Sequence, residues 1–462
     1  MAVASGAALE ALRSSIRGEV IDGEDLRYDE ARAVFNGMID KRPAVIVRCP
    51  DVADVRSALA YGRSEGLDIA IRGGAHNAAG LGSVDNGLVI DLSPMKWTRV
   101  DPETQTVTVG GGCTLGDVDH ATHTFGLAVP VGILSTTGIS GLTLGGGVGH
   151  LTRRYGLAVD NLLAVDVVLA DGSLVHASAD EHEDLFWALR GGGGNFGIAT
   201  AFTFRAHKQA TVIAGPMLWP IEQTADVLRF YRDFMAAAPD DVNGFFALLT
   251  VPPGPPFPEE LHSKPMCGIV WCCTNGADEA NAALAPARAL APALDGVSEL
   301  PFPALQSAFD PLYPPGLQTY WRGTFIAELS DDAIATHAEY ASKLPTPLST
   351  MHLYPTDGAA SRIGKHDTAW SYREAKWAQV ILGADPDPAQ AEALRSWTVG
   401  YYDAVTPFAA TGGGGYINFL GEGNDDRVRN SYRDNYDRLV DAKRKYDPEN
   451  VFHVNWNIEP TE

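Results

Sequence analysis

Forty-eight of the 462 residues are glycine, and they are densest in five stretches: 73–74, 110–112, 138–149, 191–197 and 412–415. Glycine tolerates positive φ and lets main chain approach closely, so each cluster marks a turn or a tight contact. The most demanding is "GILSTTGISGLTLGGGVGH", residues 132–150, which carries small hydroxyl residues and no acidic or basic residue before its final histidine. Bare backbone N–H groups of this kind can cradle negative charge in a nest. "RGGAHN", residues 72–77, is a second bare loop, with a histidine directly after the glycines. Two such loops in one domain imply an extended ligand lying over both. A third cluster, Gly192-x-Gly194-x-x-Gly197, scans as a dinucleotide fingerprint. That motif needs a strand before it and a helix after it, so that a pyrophosphate meets a helix N-terminus. Here the helical "DLFWALR" comes first and a strand follows, so a Rossmann domain is not expected.

Up to about residue 205 the chain reads as alternating short strands and helices. "PDVADVRSALAYG" sets Val52, Val55 and Leu59 on one helical face after an acidic start. "LDIAIR", "GLVIDLS" and "TVTVGGG" read as strands, the first running straight into RGGAHN. "CTLGDVDHATHTFG" reads as a helix ending at Gly126. "NLLAVDVVLADGSLVHAS" reads as a hairpin turned by Asp171-Gly172. "EHEDLFWALR" is a helix stopped by glycines, and "ATAFTFRA" alternates like a half-buried strand. Between about 210 and 410 prolines cluster ("VPPGPPFP", "DPLYPPG", "ADPDP") and aromatic residues become frequent, which marks a second unit with longer loops. Residues 427–445 read as a helix that ends before Asp447-Pro448.

A formal charge of −23 disfavours nucleic acid and anionic membrane as partners. Phosphates held by backbone N–H groups remain compatible with it. No apolar run reaches the roughly 18 residues of a membrane span. The amino-terminal stretch lacks a signal-like apolar core, and a cytoplasmic location is expected. Five cysteines, Cys49, Cys113, Cys267, Cys272 and Cys273, form no CxxC pair. Neither a disulfide framework nor a cysteine zinc site is expected. His120 and His123 stand i, i+3 on a helix without a third ligand, so no metal is expected.

Taken together and in order, "IRGGAHNAAG", "GISGLTLGGGVGHLTRRYGLAVDNLL", "DLFWALRGGGGNFGI", "GGYINF" and "YDPENVFHVNWNI" resemble the berberine-bridge-enzyme-like FAD-linked oxidases of the vanillyl-alcohol oxidase superfamily. The likeness runs from about residue 40 to the end, and bacterial 6-hydroxynicotine oxidases and polyketide-oxidising flavoproteins look nearest. It implies an α+β fold. A PCMH-type FAD-binding domain of two subdomains would span 1–209, and a substrate domain with an antiparallel sheet 210–410. A tail, 411–462, would return to the FAD domain.

The resemblance also implies FAD bonded covalently through its 8α carbon to His76. Arg72, Gly73, Gly74, Ala75, Asn77 and Gly80 would hold it from the same loop. Thr136, Gly138, Ser140, Gly141, Gly145, Leu157, Asp160, Ile198 and Asn455 would complete the cradle. Many relatives add a cysteine tether within Gly-x-Cys-x-x-x-Gly. Residues 132–138 here read Gly-Ile-Leu-Ser-Thr-Thr-Gly, with Leu134 in the cysteine's place, so a single bond through His76 is expected. Thr137 stands where relatives often have Val or Ile over the flavin's reactive face. A few relatives that oxygenate substrates through a flavin N5-oxide look similar there; β-branched packing is the other reading. The tail has Asn455-Trp456-Asn457-Ile458 where the family usually reads Asn-Gln-Asn-Ile.

An oxidase of this kind points a substrate C–H at flavin N5 and needs a base with a pKa near the working pH. Tyr416 and Asn418 match the family's Tyr-x-Asn; Tyr416 would orient the substrate, or act as base if its pKa is lowered. The segment also reads as a core strand. "STMHLYPTDG" reads as a strand whose alternation puts His352 and Tyr354 on one face. His352 stands where relatives often have Glu and is a candidate base, because histidine titrates near neutrality. A structural histidine is the alternative. "YWR", Tyr320 to Arg322, with Trp370 and Tyr372, would line a pocket or fill a core. The expected activity is oxidation of a small organic substrate with O₂ as acceptor. The alternatives are an oxygenase acting on a secondary-metabolite intermediate, a dehydrogenase using another acceptor, and a flavin binder without turnover.

Overall fold

The structure, a computed structural model, describes residues 6–410, 412–423 and 425–460. Three main sheets organise it. The first holds Glu19–Asp22, Val45–Arg48, Leu88–Asp91 and Ile69–Arg72 in that spatial order. Glu19–Asp22 pairs antiparallel, and the other three strands run parallel. Parallel neighbours need a crossover, and the helix Val52–Ser64 supplies it. The Asp51 carboxylate accepts from the Asp54 N–H and caps that helix. Val55, Ala58 and Leu59 bury its inner face against Val45, Val47 and Leu88.

The second sheet is antiparallel: Thr98–Asp101, Thr106–Gly110, Ile198–Arg205, Leu162–Val168, Leu174–Ser178. Gly172, at φ 81°, turns its last hairpin. Ile198–Arg205 is almost wholly buried instead of half-buried. The reason is its place at the centre of the sheet with packing on both faces. Ile198 enters the core below the first sheet, while Ala199, Phe202 and Phe204 enter another.

The third sheet has eight strands, all paired antiparallel. Its middle runs Pro265–Cys273, Val242–Thr250, Thr350–Pro355, Trp377–Asp385 and Gln318–Ile326. The helices Thr224–Ala237, Ala277–Arg288, Asp331–Ala341 and Ala391–Val405 pack on one face, where Met351, Leu353 and Ile381 point. Side chains alternate along a strand, so Phe245, Tyr354 and Val380 face the other way, onto Leu157, Trp370 and Tyr416. That inner face meets the glycine-rich half of the chain.

The tail forms two helices, Asp425–Tyr432 and Tyr436–Tyr446, instead of one. Between them lies a 3-10 turn, Arg433–Asn435, in which Arg433 takes φ 50°. Leu439 and Val440 of the second helix share a core with Leu185 and Trp187. Lys443 is fully buried there. Its ammonium donates to Asp447 Oδ2 at 2.7 Å and to the carbonyls of Asn195 and Phe452 at 2.9 Å each. Among the described residues no helix is long and apolar enough to cross a membrane.

A second buried ion pair ties the halves together. The Arg373 guanidinium forks onto Asp160, with N–H···O distances of 2.8 and 2.7 Å, and both side chains are buried. Asp160→Ala strands that guanidinium and should cost about 3–5 kcal/mol of unfolding free energy, read by chemical denaturation. Adding Arg373→Met to it should restore most of the loss; a single variant as stable as the parent would contradict this.

Candidate active site

A cavity of about 320 Å³ opens between the glycine-rich loops and the inner face of the large sheet. Its first wall is RGGAHN, which leaves the strand Ile69–Arg72 and meets the loop around Gly138 backbone to backbone. A Cβ on Gly74 would lie 2.3 Å from the Gly138 nitrogen, and a Cβ on Gly138 would lie 2.3 Å from the Gly74 nitrogen. Close approach, not φ, demands glycine at both positions. Ala75 takes φ 59°, and the imidazole of His76 joins the cavity wall. Phe35 stacks on that imidazole, with ring centroids 4.0 Å apart and planes 20° apart. Burial lowers the His76 pKa to about 4, against the smaller opposing effect of a hydrogen bond with the Thr136 backbone. The ring is therefore neutral near pH 7. Thr137 and Leu134 line the cavity beside it.

The second wall is "YINF", folded as a 3-10 turn over Ile417–Phe419 and not as a strand. It sits directly on glycines 145–147. A Cβ on Gly145 would lie 2.1 Å from Asn418 Oδ1, so the glycine makes room for that carboxamide. Asn418 Nδ2 donates to the Leu142 carbonyl at 3.0 Å and to Tyr416 Oη at 2.8 Å. The Gly147 N–H donates to the same phenol oxygen at 2.8 Å. With its oxygen accepting twice, the Tyr416 hydroxyl keeps its own proton to donate. Burial pushes this phenol up to about 12, which makes it a donor and not a base.

The third wall is the strand Thr350–Pro355, from which Thr350, His352 and Tyr354 all reach the cavity. Thr350 Oγ1 donates to the Leu248 carbonyl at 2.6 Å. His352 Nε2 lies 2.8 Å from Thr350 Oγ1, and His352 Nδ1 lies 2.5 Å from Tyr354 Oη. Burial takes the His352 pKa down to about 3, so this imidazole does not titrate near neutrality as its residue type alone suggests.

Gly73, Asn77, Ser140, Gly141 and Asn455 also line the cavity. Six residues expected at the cofactor do not. Arg72 lies beneath its loop and donates to the carbonyls of Ala31, Arg32 and Gly82. Gly80, at φ 67°, packs against Ile39. Thr136 meets His76 through its backbone, Leu157 and Ile198 are core residues, and Asp160 is held by Arg373. Of the YWR trio, Trp321 lines the cavity, while Tyr320 and Arg322 turn toward Arg395 and Tyr402. Trp370 and Tyr372 fill the core behind Tyr416. Sequence reading missed Phe35, Tyr313, Thr350 and Tyr432 on the wall. Gly193 and Gly194, not named there as cofactor residues, also line the cavity, without the flanks of a Rossmann turn.

The wall suits a large, partly aromatic anion such as FAD. A Cβ on Gly141 or Gly194 would meet nothing within 4 Å, so backbone lies bare to open space at both. Asn455 Oδ1, Trp456 Nε1, Tyr432 Oη and Thr319 Oγ1 are buried on the wall without a partner among the described residues. Buried polar groups normally find partners, and a ligand would supply them here. Phe35, Leu134, Trp321 and Phe419 offer apolar surface to a planar ring. None of the described lining residues is Asp, Glu, Lys or Arg, so a diphosphate would rest on backbone N–H groups.

Comparison with known proteins agrees. A family model described as an FAD binding domain matches residues 43–178, and one described as berberine and berberine like matches 415–459. An FAD-linked oxidoreductase of Dictyostelium discoideum is 31% identical over 422 residues, 90% of this chain and 89% of its own. The chain belongs to the berberine-like FAD-linked oxidoreductases. The (R)-6-hydroxynicotine oxidase of Paenarthrobacter nicotinovorans is 28% identical over 96% of this chain and 97% of its own. The crystal structure of 6-hydroxy-D-nicotine oxidase from Arthrobacter nicotinovorans has a TM-score of 0.87 at 27% identity, covering 96% of this chain and 98% of that one. A xylooligosaccharide oxidase from Myceliophthora thermophila shares the fold, with a TM-score of 0.84 at 24% identity over 98% of this chain and 100% of that one.

Two glycine substitutions separate folding from cofactor binding in this FAD-linked oxidoreductase. Gly138→Ala forces a methyl group into the Gly74 backbone and should cost about 1–3 kcal/mol as well as flavin content. Gly141→Ala adds a methyl group on a helix facing open space and should keep the melting temperature while reducing flavin content. Thermal unfolding and the flavin-to-protein absorbance ratio check both. Equal effects of the two variants on stability would contradict the assignment.

Proposed function

We propose that this FAD-linked oxidoreductase carries its flavin on one covalent bond from His76 and oxidises a small organic molecule, with O₂ as final acceptor. One observation carries the reading. His76 presents a neutral imidazole to the cavity from a turn that only glycine allows. A nitrogen lone pair is what bond formation to the 8α carbon requires. Leu134 lines the same cavity with a hydrocarbon side chain, which offers no second tether. Oxidase chemistry is supported by the names of relatives, the 6-hydroxynicotine oxidase among them.

When bound, FAD supplies the two-electron acceptor. The chain's own residues bind, orient and exclude water. Phe35 braces His76 by stacking, and Tyr416 offers a fixed hydrogen-bond donor that Asn418 and Gly147 hold in place. Asn455 and the bare backbone at Gly141 and Gly194 would hold the remainder of the dinucleotide. The five cysteines are all unpaired and buried, which supports a reducing compartment, the cytoplasm. A charge of −23 supports a small-molecule substrate over nucleic acid or membrane partners.

A second reading rests on Thr137, which places a β-branched hydroxyl side chain on the cavity wall beside His76. It makes the protein an oxygenase that transfers an oxygen atom to its substrate. A substrate-free measurement tests the oxidase reading first. Protein reduced with dithionite and mixed with aerated buffer should reoxidise within seconds and release one hydrogen peroxide per flavin. Reoxidation over many minutes would overturn O₂ as the acceptor. Oxygen-18 from O₂ recovered in an organic product would favour the oxygenase.

A further inference from the structure

Phe35 stands between the two halves of the molecule, and hydrogen bonds hold its segment on both sides. On the glycine-rich side the Phe35 N–H donates to the Ala75 carbonyl at 3.1 Å, one residue before His76. Asn36 Nδ2 donates to the Ala78 carbonyl at 2.9 Å. On the other side the Phe35 carbonyl accepts from the Gly316 N–H at 2.9 Å, and the Gly37 N–H donates to the Leu317 carbonyl at 2.8 Å. Asn36 Oδ1 accepts from the Thr319 N–H at 3.3 Å. Leu317 leads directly into Gln318–Ile326, a strand of the large sheet. A Cβ on Gly37 would lie 2.2 Å from the Gly316 carbonyl oxygen, so the contact admits no side chain there. Residues 35–37 are thus a clasp, with the RGGAHN loop on one side and the start of a large-sheet strand on the other.

The clasp acts directly on the attitude of the His76 ring. Phe35 lies over the imidazole, with centroids 4.0 Å and planes 20° apart. A stacked neighbour covers the face of a ring and leaves its edges open. In a neutral imidazole one nitrogen keeps a lone pair, which lies in the ring plane at an edge. Phe35 therefore opposes rotation of the imidazole without covering that lone pair, while the ring stays on the cavity wall. Residues 34–39, 73–77 and 132–138 contain no titratable side chain apart from His76 itself. No carboxylate or cation from these stretches orients the imidazole, so packing has to.

We propose that Phe35 positions His76 for attachment of the flavin, and that attachment waits until the large sheet has docked on residues 35–37. This rests on the reading that FAD is bonded to His76. In that step a bond forms between an imidazole nitrogen and the 8α carbon. One methyl C–H bond and the imidazole N–H bond break, and both protons leave. Two electrons pass to the isoalloxazine and from it to O₂, which takes up two protons and departs as hydrogen peroxide. The nitrogen must be held in line with the carbon, and a misplacement of about 1 Å in such a step costs on the order of 100-fold in rate. A chain whose large sheet has not docked has no Gly316 and Leu317 against residues 35–37. Phe35 is then unheld on that side, and His76 is free to turn. The covalent bond is made last and marks a molecule whose two halves have met. Phe35 acts through His76, so it is a positioning residue and not a catalytic one.

The test separates attachment from binding. Full-length protein from riboflavin-limited cells is mixed with FAD in air and sampled over time into acid. Flavin in the pellet is attached; flavin in the supernatant was only bound. Phe35→Leu fills similar space without a flat face. It should melt near the parent and bind FAD, yet gain pellet flavin about 100-fold more slowly, with one hydrogen peroxide released per bond. Phe35→Tyr keeps the stacked ring and should attach flavin at the parent's rate. Gly37→Ala opens the clasp with Phe35 in place and should slow attachment as Phe35→Leu does. Phe35→Met, pliable and without a planar face, gives the same reading if the leucine variant does not fold. Attachment at the parent's rate in Phe35→Leu or Phe35→Met, or slow attachment in Phe35→Tyr, would overturn the positioning role. The parent's rate in Gly37→Ala would overturn the dependence on the large sheet. If the parent's own flavin stays in the supernatant, the His76 reading fails and this proposal with it; a tethered parent with unaffected variants fails the proposal alone.

Discussion

The site depends on one contact, the backbone-to-backbone meeting of Gly74 and Gly138. A side chain on either residue would lie 2.3 Å from the other's nitrogen. That contact locks a loop leaving a parallel sheet against a loop that leads into the helix Ile139–Leu144. It places His76 and Thr137 on one cavity wall. It also lets Phe35 close over the half-buried imidazole, and desolvation keeps His76 neutral. Loop position and histidine protonation state thus have one steric origin.

The other walls are delivered by distant parts of the chain, and buried charges hold them there. Lys443 reaches from the tail helix to the Asn195 carbonyl and so pins the loop around Gly193 and Gly194. Asn195 in turn accepts from the Ile458 N–H and donates to the Trp456 carbonyl. These bonds fasten the last stretch of the tail to the cavity. The Arg373–Asp160 fork holds the half bearing the large sheet against the glycine-rich half. Each ion pair is costly to break because its partners are out of water.

Legibility in the sequence followed the range of the interaction. Glycine clusters, the Asp171-Gly172 turn and the alternation of Thr350–Pro355 are local signals, and the structure brings four of the residues singled out from such signals, His76, Tyr416, His352 and Tyr354, to one cavity. Interactions across the chain were silent. Asp160 reads as a cofactor residue until Arg373, 213 residues further on, is seen to hold it. Arg72 reads as a cofactor contact until its guanidinium is found spent on three carbonyls. The protonation of His352 is likewise hidden, because it depends on burial that only the folded chain creates. The loop 191–197 fails as a dinucleotide fingerprint on its flanking elements alone. Its glycines bare the backbone to the cavity in a different strand and helix context.

An acidic exterior surrounds an interior site without formal charge. That contrast leaves shape, hydrogen bonds and the flavin itself to select the substrate, so the account turns on where the flavin is attached. The most direct test is to denature and digest the protein and weigh the peptide carrying RGGAHN. The account predicts the mass of FAD on that peptide, localised to His76, with the peptide carrying Leu134 at its plain sequence mass. Flavin released on denaturation, with both peptides unmodified, would contradict it.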